Sequence, residues 1–376
     1  MLFNESVARE ILSHFDLPGT FAYYKDIVHG HINDTWNICY TENGAEVHYI
    51  LQRINTEAFK KPDELMANIS RVTAYLADII RKNGGDPKRE TLTVFPTKDG
   101  SLYYKTPEGD CLRVYNFVTN AFTMQSIENP NDFRLAGEAF GNFQCMLADY
   151  PIDTLYDTIP NFHNTVSRFA DLKAAIEADV CGRAAGVQDE IDFALAREKD
   201  THVLLDLLDA GKLPLRVTHN DTKLNNVMFD RDTKKGICVI DLDTVMPGLS
   251  LYDFGDSIRF GANTASEDET DLSKVSLSLP LYTAYVEGYL STAGKSLNAC
   301  EIEQLPFSAK LLTYECGIRF LTDYLKGDVY FHIDFPEHNL VRCRTQLALV
   351  ADMERKMTDM QAATTAAAKT LGIILS

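Results

Sequence analysis

Apolar and polar positions alternate with period two along the first third of the chain, and the spacing becomes helical after it. Phe21–Val28 is a β-prone run. In Asp34–Tyr40 the alternation sets Trp36, Ile38 and Tyr40 on one face and Thr35, Asn37 and Cys39 on the other. Asn43-Gly44 is a tight-turn signal, and Val47–Ile54 continues as a β-branched and aromatic strand. These runs predict a three-stranded antiparallel meander whose first turn, 29–33, contains Gly30. A helix is predicted from Pro62 to Lys82, stopped by Asn83-Gly84-Gly85. Thr91–Phe95, Leu102–Tyr104 and Cys111–Val118 are further strand candidates.

Beyond about residue 118, Phe133, Ala136, Phe140, Phe143 and Leu147 recur at helical spacing, and helices are expected through Leu208. Leu215 to about Gly261 reads as short strands and turns, and the remainder as helix. The expected fold class is therefore α+β and two-lobed. A small antiparallel β-rich N-lobe (1–116) precedes a larger, mainly helical C-lobe (117–376), with the joint at Arg113–Thr119.

Composition narrows the function. Lys and Arg number 36 against 54 Asp and Glu, a net charge of −18, which repels phosphate backbones and anionic headgroups. Neither nucleic acid nor a membrane is an expected partner, and the sequence carries no signal for oligomeric state. The eight cysteines form no CxxC pair, as expected of reduced, mostly buried thiols in a cytoplasmic protein. The first residues lack a basic start followed by an apolar core, and no apolar run approaches the length of a bilayer span.

Candidate chemistry is densest at Thr218–Asn226, THNDTKLNN. The strand-like Val227–Phe229, an Asp-rich turn and a second strand, Gly236–Ile240, lead from there into Asp241-Leu242-Asp243. Carboxylates and an amide at the ends of a short hairpin suit Mg²⁺, which binds a few protein oxygens together with substrate phosphates. A carboxylate on the preceding loop can take a proton from a hydroxyl nucleophile while cations screen the phosphoryl charge. An Asp/Asn-rich hairpin that merely caps helices is the plainer alternative.

The His-x-Asp-x-x-x-x-Asn pattern, followed fifteen residues on by an apolar-Asp, resembles the catalytic loop and metal motif of the aminoglycoside phosphotransferase/choline kinase group, which has a two-lobed protein-kinase-like fold. More narrowly, the chain is similar to the N-acetylhexosamine 1-kinases through GHINDTW (30–36), YILQRIN (49–55), RVYNFV (113–118), THNDTKLNNVMFD (218–230), VIDLDTVMPGLSLYDFGDSIRFG (239–261), ECGIRFLTDYLKGDVYF (315–331) and EHNLVRCRTQ (337–346). The resemblance implies Asp221 as catalytic base, Asn226 and Asp241 as holders of Mg²⁺, and Asp243 as a second acid at the metal or phosphate edge. It lays the turn with Gly30, Asn33 and Thr35 over the ATP phosphates. The Arg113–Thr119 hinge, with Tyr115 and Phe117, would touch adenine. Sugar contacts would fall on His31, Asp221, Arg319 and Tyr330, with His219, Asp253 and Asp256 supporting the loop. On residue chemistry alone Arg319, in an apolar helix, needs either a carboxylate such as Asp323 or a ligand. His31 could equally face solvent, and Tyr330 by default would be core.

Two features depart from the wider kinase pattern, which pairs a Lys or Arg on the third strand with a helix Glu. That strand reads Leu51-Gln52-Arg53, so register decides whether Gln52 or Arg53 meets the phosphates, and the following helix has no Glu in its middle. Lys223, the glycine turn and the metal are then left to anchor phosphate. Gly294-Lys295-Ser296 mimics a P-loop, but its spacing from Gly288 is wrong and it reads as a helix end. The function implied is ATP- and Mg²⁺-dependent phosphorylation of the anomeric hydroxyl of N-acetylhexosamines (GlcNAc or GalNAc). An aminoglycoside or choline/ethanolamine kinase is the nearest rival, and a catalytically silent nucleotide-binding protein the rival of another class.

Overall fold

The computed structural model describes residues 3–27 and 33–375, so Gly30 and His31 lie outside the described residues. The chain forms two compact units. One comprises residues up to Phe122, Asp149–Ile159 and Met228–Met246; the other comprises Thr123–Ala148, Pro160–Val227 and Pro247 onward.

The first unit is built on a six-stranded sheet. Its strands are β1 (Thr20–Ile27), β2 (Asp34–Glu42), β3 (Ala45–Ile54), β4 (Val94–Phe95), β5 (Tyr104–Lys105) and β6 (Cys111–Asn116). They lie in the order β1-β2-β3-β6-β4, with β5 also on β6 and every pair antiparallel. The meander expected from the alternation is present. Its second turn places Asn43 (φ 51°) and Gly44 (φ 80°) in the left-handed region that Asn-Gly tolerates. The period of two divides the sheet into unlike faces. Trp36, Ile38, Tyr40, Tyr49, Leu51, Leu112 and Val114 bury against Ile11, Leu12 and Phe15 in and after α1 (Glu5–Leu12). The opposite face carries Thr35, Asn37, Cys39, His48, Gln52 and Arg113, so whatever acts there is polar.

Helix α2 (Pro62–Lys82) has the predicted bounds and is followed by α3 (Pro87–Glu90). Buried Asn68 of α2 donates to the carbonyls of Tyr156 (2.8 Å) and Val245 (3.0 Å) and accepts the Tyr156 N–H (2.9 Å). A polar side chain thus pins two distant segments to the helix.

Strand β7 (Ala121–Thr123) edges the hairpin of β9 (Val227–Asp230) and β10 (Gly236–Val239); β8 (Arg216–Thr218) pairs with β11 (Met246–Gly248). The second unit is mainly helical: α4 (Pro130–Met146), α5 (Thr165–Ala178), α6 (Gln188–Leu195), α7 (Val203–Asp209), α8 (Ser250–Gly261), α9 (Leu279–Ala293), α10 (Ala299–Lys326) and α11 (His338–Thr370). Gly294 ends α9, so the P-loop mimic is a helix terminus.

One expectation fails. Residues 250–261 form α8 rather than strand and turn; all of its residues except Phe260 are buried, so its polar stripe of Ser250, Asp253, Asp256 and Ser257 faces protein and not solvent. Gly255 permits its close approach to α10, since a methyl there would stand 2.6 Å from the Ser308 carbonyl oxygen. Of the cysteines, Cys39, Cys111, Cys238 and Cys343 are buried, whereas Cys145 and Cys181 are exposed; all are free thiols. Among the described residues, no helix is long and apolar enough to cross a membrane.

Candidate active site

In the second unit, β8 leads at Thr218 into the loop His219–Lys223 and then a 3-10 turn, Leu224–Asn226. Asn220 holds a left-handed backbone (φ 64°), a conformation that Asn adopts more readily than most residues and that fixes the direction of Asp221 behind it. Helix α8 holds this loop. The buried Asp253 carboxylate accepts the N–H groups of His219 (2.9 Å) and Asn220 (2.7 Å) and the side-chain amide of Gln144 (2.7 Å). Burial pushes Asp253 up in pKa, while His219 and these donors pull it down. Asp256, one turn later, accepts the Thr222 N–H (3.2 Å) and pairs with Arg259 (2.9 Å). The Thr222 hydroxyl donates to the Asp253 carbonyl (2.6 Å), so backbone and side chain of the loop are both tied to one helix end. The His219 ring lies edge-on to Phe140 and Phe143 and accepts the Asp221 N–H (3.2 Å), as a positioning group would.

A second brace comes from outside the motif. His163 is buried with Nδ1 2.8 Å from Glu315 and Nε2 3.2 Å from the carbonyl oxygen of Asn220. Both partners are acceptors, and an imidazole satisfies two acceptors only when both nitrogens carry protons. Burial alone would lower the His163 pKa, but Glu315 outweighs it and the net shift is upward. Glu315 also accepts the Thr165 hydroxyl (2.6 Å), which leaves its charge fully engaged.

Asp221 itself is partly exposed. Its Oδ1 lies 2.9 Å from Lys223 Nζ, and Asn226 Nδ2 donates to its carbonyl (2.8 Å) and Oδ2 (3.3 Å). Burial lowers the Lys223 pKa, yet Asp221 and Asp256 more than offset it, so Lys223 stays cationic. Asn226 turns its amide nitrogen toward Asp221, and its amide oxygen is the atom it would offer to a cation. The donor set of carboxylate and amide oxygens fits Mg²⁺.

In the same unit, Arg319 of α10 lies over the rings of Phe162 (5.6 Å) and Phe331 (5.5 Å), with no carboxylate in ion-pair range among the described residues. Asp323 is not its partner. That carboxylate accepts the N–H groups of Val329, Tyr330 and Phe331 (3.0, 2.8 and 2.9 Å) and the Asn339 amide (2.9 Å). The 329–331 turn is thereby fixed, and Tyr330, by default a core residue, is 70% exposed. Arg168 lies close enough that Arg319, after burial, lowers its pKa.

In the first unit, Thr35, Gln52 and Arg113 stand side by side on β2, β3 and β6. Gln52 donates to Thr35 Oγ1 (3.1 Å) and accepts from Arg113 Nε and Nη2 (3.1 and 2.9 Å). Arg113 in turn meets Asp243 at 2.6 Å, and the other oxygen of Asp243 accepts the Asn33 amide (2.7 Å). Arg113 is 1% exposed, so it is an internal cation rather than an adenine-facing hinge residue. Arg53 points to the other face, where it pairs with Asp34 and, at 3.4 Å, with Asp110. The register therefore puts Gln52 in the polar row, and the cation there comes from the neighbouring strand. Asp243 turns one oxygen to the Arg113 guanidinium and the other to the Asn33 amide. Asp241 takes a left-handed backbone (φ 60°) at the head of the 3-10 turn Leu242–Thr244. Tyr115 is buried beside Arg113, and Phe117 is half-buried against His48.

Sequence reasoning missed Arg113 as a core cation, together with Gln144, His163 and Glu315. An arginine between apolar strand residues is a usable signal for the first; the others carry none until the chain is folded.

An antiparallel β unit, a helical unit and a helix-braced His-x-Asp-x-x-x-x-Asn loop together define the kinase-like phosphotransferase class. The chain belongs to the phosphotransferase enzyme family (APH), which residues 24–289 match. Among solved structures it is similar to a microcompartment-associated aminopropanol kinase (18% identity, 95% of this chain and 99% of that one, TM-score 0.56). It is likewise similar to a choline kinase from Cryptosporidium parvum Iowa II (15%, 96% and 99%, 0.56) and a choline/ethanolamine kinase family protein from Mesorhizobium loti (16%, 96% and 99%, 0.52). At these identities the likeness concerns the fold.

Proposed function

We propose that this phosphotransferase is a cytoplasmic, ATP- and Mg²⁺-dependent kinase that phosphorylates the anomeric hydroxyl of N-acetylhexosamines. The observation that carries the substrate class is Arg319, a guanidinium without a carboxylate partner between two aromatic rings, with Arg168 nearby. Two guanidinium groups repel the ammonium of choline, ethanolamine or an aminoglycoside; of the buried acids on the Arg319 helix, Glu315 is neutralised by His163 and Asp323 is taken up by the N–H groups of 329–331 and the Asn339 amide. A neutral, hydroxyl- and amide-bearing sugar accepts hydrogen bonds from arginine at no such cost.

In this reaction Asp221 takes the proton of the C1 hydroxyl. The C1 oxygen then forms a bond to the γ-phosphorus as the bond to the β–γ bridging oxygen breaks, giving sugar 1-phosphate and ADP. An anomeric hydroxyl is more acidic than an ordinary alcohol, so one aspartate is a sufficient base. Lys223 restrains Asp221 and offers a cation to the transferring phosphate. Asn226 and Asp241 are the groups that would hold Mg²⁺, which supplies charge neutralisation on the phosphates. The first unit is assigned to nucleotide binding, with Gly30, Asn33, Thr35, Gln52, Tyr115 and Phe117 as its contacts, and His31 and Tyr330 join Arg319 on the sugar.

An amine-alcohol kinase is the second reading, favoured by the net charge of −18 and by the fold shared with choline and aminopropanol kinases. Initial rates of ADP release from ATP–Mg²⁺ with GlcNAc, GalNAc, choline, ethanolamine and kanamycin separate the two. Turnover with the sugars and none above background with the amines is expected; the reverse order would overturn the substrate class, and ATP binding without transfer to any acceptor would overturn the reaction.

A further inference from the structure

The polar face of the β1–β3 meander also carries a ligand set of a different chemistry, beside the residues assigned to the nucleotide. Cys39 of β2 and His48 of β3 are direct cross-strand partners, and Glu46 lies two residues before His48 on the same face. The sulfur, an imidazole nitrogen and a carboxylate oxygen of these residues all lie within 4.8 Å of one another, and His48 Nε2 is 3.7 Å from Glu46 Oε2. Ligand atoms around a four-coordinate zinc stand about 3.3–3.8 Å apart, given bond lengths near 2.0–2.3 Å. The three groups are therefore close to binding distance without backbone movement.

The residues around this set orient its ligand atoms. His48 Nδ1 is 2.9 Å from the Asn37 amide oxygen, which accepts only from a protonated nitrogen. That contact selects the tautomer in which Nε2, the nitrogen nearer Glu46, keeps its lone pair. Cys39 is fully buried and Glu46 exposed, so one side of the cluster is closed and the other open to an entering ion. Tyr23, opposite Cys39 on β1, directs its hydroxyl to Glu46 (3.4 Å). The site thus gathers residues from three adjacent strands.

We propose that Cys39, Glu46 and His48 form a binding site for a borderline-soft divalent cation of the zinc type, with water in the fourth position. A thiolate and an imidazole discriminate against Mg²⁺, which prefers oxygen ligands, so this site would not compete for the reaction's metal. Binding exchanges the Cys39 S–H proton, released to solvent, for the metal–sulfur bond.

Cobalt(II) is the probe, titrated into the full-length, EDTA-treated protein and followed by absorption. The expected result is stoichiometric binding with a thiolate-to-cobalt band in the near ultraviolet and visible bands of tetrahedral intensity, all displaced by Zn²⁺. Cys39→Ser should remove the charge-transfer band, and His48→Gln should weaken Co²⁺ binding by about tenfold or more. Glu46→Gln, at an exposed position that the fold tolerates, should weaken it likewise and guards against misfolding of the buried variant. No band in the wild type, or a band unchanged in all three variants because other cysteines supply the thiolate, would overturn the site.

Discussion

Arg113 and Asp243 form an ion pair at 2.6 Å with side-chain exposures of 1% and 4%, and this contact joins β6 to the turn that follows Asp241. Burial disfavours the Arg113 cation, but Asp243, Tyr115 and Asp241 outweigh it and raise its pKa, so Arg113 keeps its charge. Removing one member of such a pair strands the other in a medium that cannot solvate it. Arg113→Ala should therefore cost about 3–5 kcal/mol in urea denaturation. The double variant Arg113→Met/Asp243→Leu should recover most of that stability and still lose activity, because Gln52 and Asn33 lose their anchor. A double variant as unstable as the single one would show that the pair contributes more than charge compensation.

Asp221→Asn keeps the shape of the loop and removes the proposed base. Turnover should fall by about 10²–10⁴-fold with nucleotide affinity retained, as measured by ADP release alongside ATP titration. Near-normal turnover in this variant would remove Asp221 from the chemistry.

Asp253→Ala removes the carboxylate that accepts the N–H groups of His219 and Asn220 and leaves the Gln144 amide only the Val217 carbonyl, at about 1–3 kcal/mol for each buried donor that loses its acceptor. The loop that aims Asp221 loosens, so kcat should fall well beyond any change in the KM for ATP. Steady-state kinetics on the folded fraction, checked by circular dichroism, distinguish this from simple unfolding.

His163 and Glu315 make stability depend on pH with a definite sign. The His163 pKa is raised above its ordinary 6.5, so its contribution is complete below 6.5 and is lost as pH rises through the higher folded value. The Glu315 pKa is lowered below 4.5: burial pushes it up, but His163, Arg319 and Thr165 pull it further down. Its contribution is complete above 4.5 and is lost as pH falls through the folded value. The pair is at full strength between these ordinary values. The gap in urea midpoint between wild type and His163→Phe should be widest near pH 5.5 and narrow toward pH 9; a gap that widens with pH would contradict an imidazolium at this position.

Arg319→Gln removes the proposed sugar contact and leaves the fold intact, since no ion pair is broken. The KM for the acceptor should rise about 10–100-fold, the loss of a charge-assisted hydrogen bond, while the KM for ATP stays put. Equal effects on both substrates would make Arg319 a structural residue.

Much of this architecture is legible from local chemistry. Asn43-Gly44 and the flanking alternation specify a hairpin, and Pro62 and Gly84 bracket α2, because each signal acts through backbone sterics within a few residues. Helix α8 is not legible: Asp253, Gly255 and Asp256 look like turn residues until α10 and the catalytic loop surround them. The choice between Gln52 and Arg53 rests on sheet register, which Leu51 settles by burying in the α1 face. His163 and Glu315 lie 152 residues apart in the chain, and their meeting at the Asn220 carbonyl leaves no trace in either local sequence. The 218–226 loop and the acids Asp253 and Asp256 that hold it are visible in the motif; the His163–Glu315 brace is not.

The most direct test is phosphorus NMR of the product formed from ATP–Mg²⁺ and GlcNAc or GalNAc, with choline and kanamycin in parallel. A phosphomonoester resonance coupled to the anomeric proton of the sugar is the predicted result. Phosphate on choline or kanamycin with none on C1 of either sugar would contradict the account.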